Sequence, residues 1–405
     1  MNDIRDILHI NIQSPYWDEA YASALAEPDV PEWLTENYID TLYTKYGLLP
    51  KTYETVLKAL PFVQNEPALC LLAKTLYHIL ATKKGFKAAF TEFELPKAPE
   101  GTQNTLGYDC VAIFPVLAHL LPSWNELKAR GIEDDVLTAS LFWADSLFYQ
   151  CTEKAGKPCF DEGFFKSYGV AIYLNHLIIG RLRFEIHENS ERPARIFQNA
   201  NGEYCVLMEN TTLHRSGHIL GAYGCMDEDG AYAADFKETE TTYEGYAVDQ
   251  NTGLAQNART VLSKTDWTPV YQSGYTAIKV HIPYGGKLDK ENCAASYARA
   301  KEIFKRCFPE YDFKCFLICC WMLSPVLREL LKPESNILAF QEGFTLIPAK
   351  SGATDAFLYV FGIETSSVSD IDLEKLPENN SLQRGIKQKS LQGEYIHQFN
   401  GFKPF

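Results

Sequence analysis

Apolar residues recur every three to four positions through the first third of the chain, which is the period of an amphipathic helix. This period is present in PEWLTENYIDTLYTKYGL, PALCLLAKTLYHILATKKG, TLGYDCVAIFPVLAHLLPSWNELKARG and DDVLTASLFWADSLFYQCTEKAG. Gly85 stands where the second of these helices is expected to stop. The pattern predicts an all-helical first domain, which we place at residues 1–155.

The helical period gives way to alternating and continuous apolar runs near residue 160. Strand-like runs occur in GVAIYLNHLIIGRLRFEIHE and in EYCVLMENTTLHRSGHILGAYGC, with turn residues between them. Polar segments follow, and then the β-rich run TAIKVHIP. We therefore expect residues 156–405 to form a second domain of mixed α and β structure.

The order of elements becomes clear from residue 275 onwards. TAIKVHIP predicts a strand, LDKENCAASYARAKEIFKRCFP a helix, and FKCFLICCWML a buried strand. SPVLRELL predicts a short helix with Ser324 as N-cap and Pro325 at the first helical position. SNILAFQEGFTLIP and DAFLYVFG are predicted as two further strands. A helix between neighbouring strands of one sheet makes these strands parallel, so the pattern predicts an α+β fold with a mixed sheet.

Composition and charge narrow the class of protein. The chain has 405 residues, 46% of them hydrophobic, and a formal net charge of −14, which fits a two-domain globular protein. No strong basic cluster is present, so we expect no nucleic-acid partner. The N-terminus MNDIRDILHINIQSPYW lacks the pattern of a signal peptide. The apolar run FKCFLICCWMLSPVL is shorter than the roughly 20 residues of a membrane span. We expect a cytoplasmic protein without a membrane partner.

The cysteines agree with a reducing compartment. Their number, eleven, is odd, and Cys70, Cys315, Cys319 and Cys320 lie within apolar runs. Buried free thiols explain this better than a disulfide framework. Because no CxxC pair exists, we expect no structural zinc.

The segment VHIPYGGKLDKENC joins a predicted strand to a predicted helix through two glycines. Gly285 and Gly286 let a bound group approach the backbone, and Lys287 adds a positive charge next to the helix start. This combination predicts a phosphate site. The alternative is a plain turn between two core elements, since Pro283 lacks an amide donor and Asp289 can itself cap the helix.

Several motifs together resemble a known family. They are IGRLRFEIH at 179–187, YEGYAVDQNTG at 243–253, the Trp267 region that leads to VHIPYGGKL, CCWMLSPVLRELLKPESNILAF at 319–340, and LPENNSLQRGI at 376–386. In this order they are similar to bacterial acyltransferase-domain proteins, which have a helical N-acyltransferase domain followed by a GNAT-like C-terminal domain. The helical first part of the chain resembles this family only in its general helical pattern and not in specific motifs.

The resemblance implies a fold, a co-substrate and a reaction. In the GNAT fold, acyl-coenzyme A (acyl-CoA) lies where two parallel strands part, and its pyrophosphate sits at the start of the helix between them. The implied activity is N-acyl transfer from acetyl-CoA or another acyl-CoA to a small-molecule or peptide amine, by direct attack. The implied CoA-binding residues are Val280, Ile282, Gly285, Gly286, Lys287 and Leu288.

Acyl transfer to an amine requires a proton acceptor for the amine and a proton donor for the departing thiolate. His281, at the end of the strand beside the implied cleft, is the first candidate base, with an ordinary pKa of about 6.5. Glu185 is the second candidate, and Tyr284 or Tyr297 is the candidate acid. A histidine satisfied by the backbone and a carboxylate at the surface are the non-catalytic alternatives.

The sequence leaves three other interpretations open. HIPYGGKL departs from the usual GNAT loop, Arg or Gln followed by x-x-Gly-x-Gly or Ala, which favours a non-catalytic ligand-binding module on a degenerate GNAT scaffold. His214 and His218 are four residues apart, the spacing of metal ligands on a helix, but Gly217 between them disfavours a helix. Cys293 near the helix start is a candidate reactive thiol, or a small packing residue.

Overall fold

The computed structural model describes residues 3–84, 86–169, 176–283 and 285–405. The chain forms two compact units, one of Met1–Ile179 with Ile303–Phe308 and the other of Gly180–Glu302 with Pro309–Phe405. The domain boundary between residues 155 and 156 stays a prediction, and Gly85 lies outside the described residues. None of the described helices combines the length and apolarity that crossing a membrane requires.

The first unit is built from helices, as the apolar period predicts. Thr35 caps one of them, because its side chain accepts a hydrogen bond from the Tyr38 amide. Gly156 ends another in a left-handed conformation. The helices are α1 Ile4–Leu8, α2 Trp17–Ala26, α3 Glu36–Thr44, α4 Tyr53–Gln64, α5 Pro67–Ala81, α6 Phe86–Ala89, α7 Leu106–Cys110, α8 Ile113–Ala118, α9 Leu120–Ala129, α10 Asp134–Leu141, α11 Trp143–Ala155 and α12 Glu162–Gly169, followed by strand β1 His176–Ile179.

Helix α5 provides much of the core of this unit. Its residues Leu72, Ala73, Leu76 and Ile79 are fully buried and recur at helical spacing. The packing of this apolar stripe explains why a sequence with few strong caps folds into a helical unit.

One buried carboxylate in this unit accepts several hydrogen bonds. Asp145 on α11 accepts from the Thr52 amide at 2.9 Å and from the Thr52 hydroxyl at 2.6 Å, and both side chains are buried. Burial raises the pKa of the Asp145 carboxyl, although these bonds act in the opposite direction. The carboxylate thus fixes the start of α4 against α11.

We expect Asp145→Ala to lower the free energy of unfolding by about 2–3 kcal/mol, because it leaves the buried Thr52 donors without a partner. Urea denaturation followed by circular dichroism measures this change. Glu153→Ala, at an exposed position of the same helix α11, should change the free energy by less than about 0.5 kcal/mol. Equal effects of the two substitutions would contradict a stabilising role of the buried contact.

The second unit has mixed structure and contains two main sheets. Its strands are β2 Leu182–Ser190, β3 Ala194–Asn199, β4 Tyr204–Met208, β5 Thr211–Leu213, β6 Tyr232–Ala234, β7 Lys237–Glu238, β8 Thr242–Asp249, β9 Leu254–Ser263, β10 Trp267–Tyr271, β11 Tyr275–His281, β12 Cys315–Cys320, β13 Thr345–Pro348 and β14 Phe399–Pro404. Its helices are α13 Lys290–Cys307, whose last residues cluster with the first unit, α14 Leu327–Leu330, α15 Asn336–Gln341, α16 Asp355–Phe361 and α17 Ser381–Leu391.

Within this unit the first sheet has the order β2-β11-β12-β14-β13, and only β11 and β12 pair in parallel. The second sheet has the order β10-β3-β4-β8-β7, with β9 also on β8. Cys315 to Ile318 of β12 are all buried, as the continuous apolar run predicts for a central strand. Helix α13 connects β11 to β12, so the predicted strand–helix–strand unit and the α+β class are confirmed.

Two strand predictions are wrong. The first half of SNILAFQEGFTLIP is helix α15, because Ser335 caps the segment by accepting from the Ile337 amide. DAFLYVFG is helix α16, which buries Ala356 and Phe357 on one side, leaves Tyr359 65% exposed on the other, and ends at the left-handed Gly362. Short apolar runs fit a strand and a helix equally well, and only the cap and the glycine stop distinguish them.

The cysteines are free thiols, and most of them are buried. Cys70 and Cys315 are buried as predicted. Cys319 is exposed, contrary to expectation, and Cys320 is half-buried. Both lie at the end of β12.

Candidate active site

Strands β11 and β12 pair in parallel over only three positions and then part. The pairs are Ala277–Cys315, Ile278–Phe316 and Lys279–Leu317. Beyond them β11 stays paired to β2 as far as His281, and β12 stays paired to β14 as far as Cys320. Each strand therefore keeps its outer partner beyond Lys279 and Leu317, while the facing backbone edges of β11 and β12 are no longer paired. We call this unpaired stretch between the two strand ends the cleft.

His281 and Glu185 meet on the β11 side of this cleft. The His281 Nε2 lies 2.8 Å from a Glu185 carboxylate oxygen, and the Lys279 amine lies 3.7 Å from the same oxygen. Burial, together with Arg183 and Lys279, lowers the pKa of His281 to about 4, although the bond to Glu185 opposes this. The imidazole is therefore neutral at pH 7. The structure brings together the two residues that the sequence indicates as candidate bases, 96 positions apart.

The glycine loop follows directly after β11. Gly285 and Gly286 have φ of 82° and 70°, a left-handed conformation that explains the glycine pair. Gly285, Gly286 and Lys287 are exposed. Tyr284, the candidate acid, lies outside the described residues.

Arg181 organises this loop. Its guanidinium donates to the carbonyls of Pro283 at 2.9 Å, Lys287 at 3.0 Å and Gly286 at 3.3 Å. In a trans peptide the N–H points opposite to the C=O, so the amides of Lys287 and Leu288 point away from Arg181. Neither amide donates to a backbone carbonyl of the described residues. The loop therefore has two consecutive amides on the side opposite the arginine without a backbone partner among the described residues, and consecutive free amides are an arrangement that binds anions.

The start of α13 itself is already capped. Asp289 accepts from the Asn292 amide at 2.9 Å, and these bonds lower the pKa of its carboxyl. The sequence alternative of a self-capped helix is therefore correct for the first turn of α13. The two amides without a described backbone partner lie just before the helix, at residues 287 and 288.

A cavity of about 380 Å³ extends along the first half of α13. Leu288 contributes to its wall, whereas Val280 is a buried core residue and Ile282 is half-buried. If Val280 contacts a ligand in the cleft, it does so through its backbone. The other lining residues are Lys290, Cys293, Ala294, Tyr297, Ala339, Phe340, Glu342, Gly343, Phe344 and Lys403.

Tyr297 adds a buried polar atom to the wall of this cavity. Its ring packs on Phe184 and Phe316 at 5.8 and 5.0 Å, and its buried hydroxyl has no hydrogen-bond partner among the described residues. Burial raises the pKa of Tyr297 well above its ordinary value, so the phenol keeps its proton. Burial also lowers the pKa of Lys403, whose amine lies 5.3 Å from the centre of this ring.

A family model described as the GNAT-like C-terminal domain matches residues 177–403. The chain belongs to this family. The matched residues contain the parted strands, the glycine loop and the cavity along α13. The family expected from the sequence motifs is thus confirmed for the GNAT-like domain, together with a helical region before it.

Solved structures with the same fold cover both parts of the chain. An acyltransferase in complex with decanoyl-CoA and teicoplanin is 19% identical, with a TM-score of 0.62, over 99% of this chain and 98% of that chain. A mutant acyltransferase in complex with octanoyl-CoA gives the same values. The search of curated proteins found no match. At this level of identity the likeness establishes the fold.

Sequence reasoning missed Arg181 within the GNAT-like domain. It belongs to the quoted motif IGRLRFEIH, but its partners lie more than 100 residues later. The sequence also did not indicate a second contact of Arg181, whose amide donates to the Ser296 hydroxyl on α13 at 2.9 Å. In the sequence, Arg181 is only a single arginine after Gly180 in a tight turn. This position alone does not indicate which residues the side chain contacts.

The histidines of HRSGH occupy a turn of the GNAT-like domain, as Gly217 predicts. The His214 amide donates to the His218 carbonyl at 2.8 Å, so the two side chains are not on one helix face. Within the described ranges no group of three or more histidine, cysteine or acidic side chains is placed to hold a metal ion. Cys293 is buried, and burial raises the pKa of its thiol, which disfavours a reactive thiolate.

We expect Tyr297→Phe to raise the free energy of unfolding by about 1 kcal/mol, because it removes a buried hydroxyl that has no partner. Chemical denaturation of the ligand-free protein measures the change. The matched control is Tyr271→Phe, also buried, whose hydroxyl donates to the Ser190 carbonyl at 3.3 Å. This control should lose about 1 kcal/mol. Destabilisation by Tyr297→Phe would show that its hydroxyl is bonded after all.

Proposed function

We propose that the chain is an acyltransferase that moves an acyl group from an acyl-CoA to an amine by direct attack. The observation that carries this proposal is the parting of β11 and β12 next to a loop that presents two outward amides. Support comes from the neighbours of the same fold, which are acyltransferases solved with octanoyl-CoA or decanoyl-CoA.

The loop supplies the diphosphate site in this proposal. The amides of Lys287 and Leu288 would donate to the diphosphate oxygens, and the Lys287 ammonium adds a charge at the exposed rim. Gly285 and Gly286 leave the space for the approach, since no other atom lies within 4 Å of the position of a Cβ at Gly285. The backbone of Val280 and Ile282 would pair with the amide-bearing arm of the coenzyme in the cleft.

The reaction needs no covalent enzyme intermediate. The amine nitrogen attacks the thioester carbonyl, the new C–N bond forms, and the C–S bond breaks to release the CoA thiolate. His281 would accept the proton that the amine loses, with Glu185 orienting the ring. The thiolate takes a proton from Tyr284 or from Tyr297, and Tyr297 is protonated at neutral pH.

A non-catalytic ligand-binding module is the second candidate. It is favoured by the capped helix start, because Asp289 places a carboxylate close to the expected diphosphate position. The same ligand would then bind without turnover. Measurements of binding and of turnover on one preparation therefore separate the two functions.

We expect Lys287→Ala to weaken the binding of decanoyl-CoA about three- to tenfold, which corresponds to about 1 kcal/mol for one exposed charge. Arg181→Met should weaken binding at least as much, because the carbonyls it holds become free to turn toward the ligand. Titration calorimetry gives the dissociation constants. Lys332→Ala removes an equally exposed lysine of the same unit and is the control. Unchanged affinity in both variants would remove the loop from the proposed diphosphate site.

We expect His281→Gln to lower kcat/KM about 10²- to 10⁴-fold, the usual loss for a general base. His187→Gln, two residues beyond Glu185 on β2, is the control and should stay within about threefold. The release of CoA thiol during transfer to an amine measures both.

The pH dependence follows from the lowered pKa of His281. A group with a pKa of about 4 is unprotonated above that value, so protonation of His281 should not reduce activity until the pH approaches 4. With an acceptor that is itself unprotonated at pH 5, the wild-type rate should be the same at pH 5 and pH 7. A tenfold loss centred on pH 6.5 would contradict the assigned environment of His281.

A further inference from the structure

Two cysteines of the first unit lie with their sulfur atoms close together. Cys151 is near the end of α11, and Cys159 follows after the left-handed Gly156 that ends this helix. Their Sγ atoms are 3.1 Å apart. A disulfide bond is about 2 Å long, so a movement of only about 1 Å would close one between them. The reversal of the chain after α11 therefore brings two thiols within bonding reach.

Hydrogen bonds of the residues that follow Cys159 hold this arrangement. The Phe160 amide donates to the Asp109 carbonyl on α7 at 2.8 Å. The Asp161 amide donates to the Cys151 sulfur at 3.4 Å. The returning segment is therefore attached both to α7 and to the end of α11, which keeps the two sulfurs adjacent in the folded chain.

The two thiols differ in their access to solvent. Cys151 is buried, whereas Cys159 is half-buried and lines a cavity of about 390 Å³. The exposed residues Lys97 and Asp161 line the same cavity, so it is open to solvent. A small reagent that enters this cavity therefore meets Cys159 and not Cys151.

The two thiols also differ in acidity. Burial raises the pKa of both, to about 12 for Cys151. At Cys159 the carboxylates of Asp161 and Asp109 add to this shift, whereas the hydrogen bond from Cys151 and the ammonium of Lys157 oppose it. The thiolate is the form that attacks a disulfide. Cys159 is thus the attacking group of the pair, and its reaction should be slow at neutral pH.

We propose that Cys151 and Cys159 form a modification site, at which a low-molecular-weight disulfide oxidises the pair to an internal disulfide bond. The Cys159 thiolate attacks one sulfur of the reagent, forms a mixed disulfide and releases the first reagent thiol. The Cys151 sulfur then attacks the Cys159 sulfur, and the second reagent thiol leaves. The protein loses two electrons and two protons, and the two released thiols take them up. All of these residues belong to the first unit, so the inference does not depend on the proposed acyl transfer.

Peptide mapping after treatment with cystamine tests the site. Cystamine is the probe because it carries ammonium groups, and carboxylates outnumber amines among the described residues that line the cavity. Trypsin cleaves between the two cysteines, after Lys154. We expect treatment of the full chain at mildly alkaline pH to join peptides 131–154 and 155–166 through one disulfide, and a thiol reductant to separate them.

Single substitutions separate the two steps of the reaction. In Cys151→Ala the mixed disulfide with cysteamine should remain on Cys159, because no second sulfur displaces it. In Cys159→Ala the buried Cys151 should stay unmodified. Cys110→Ala is the matched control, because Cys110 is a buried thiol that interacts electrostatically with both cysteines. Its removal should leave the link between the two peptides unchanged.

The link should also stabilise the protein. We expect the linked chain to unfold about 5 °C above the reduced chain, because the bond constrains the unfolded state. Scanning calorimetry measures the difference, and Cys151→Ala treated in the same way should show no such gain.

Several results would overturn the proposed pair. One is a disulfide from Cys159 to Cys110, and another is a mixed disulfide that persists on Cys159 in the wild type. Two free thiols after a treatment that fully oxidises dithiothreitol would have the same meaning. A lower unfolding temperature of the linked chain would show that the bond strains the fold, contrary to the adjacent sulfurs.

Discussion

The site depends on how the central parallel pair of strands is supported. Strands β11 and β12 share three residue pairs, and each then continues along a different antiparallel partner, β2 or β14. A separated pair would ordinarily be unstable, because unpaired backbone groups are costly to bury. Here the outer ladders keep both strand ends paired on one side, although the two ends no longer pair with each other. An extended ligand with its own amides is the natural complement of such a gap.

Around this gap the protein satisfies its own polar groups on one side and leaves donors on the other. Arg181 binds the loop carbonyls, and Asp289 occupies the first turn of α13. The carbonyls bonded to Arg181 cannot turn toward a ligand. The first turn of α13 cannot bind an anion, because Asp289 already caps it. The amides of residues 287 and 288 point away from Arg181, because the carbonyls of the same peptides are bonded to it. The precision of the site therefore comes from residues that would not touch the ligand.

Much of this architecture could be predicted from the sequence, because strong periodicity indicates helices and central strands directly. The strand–helix–strand unit of β11, α13 and β12 is the best example. Prediction was wrong at α15 and α16, where seven or fewer apolar residues fit either period and a serine cap or a glycine stop decides. The candidate site residues were likewise predictable only where the local sequence pattern indicates them. His281 and Glu185 could be picked from their strands, but Arg181 could not, because its role arises from contacts across 102 or more positions.

Two buried hydroxyls in this domain have no partner among the described residues, and packing does not explain them. Tyr297 lies in the wall of the cavity along α13, and Ser324 lies in the wall of a second cavity of this domain, beyond the end of β12. Phenylalanine and alanine would fill these positions without an unmet hydrogen bond, so packing alone gives no reason for either hydroxyl. Their elements adjoin the strands on the two sides of the gap, because α13 begins after β11 and Ser324 follows β12.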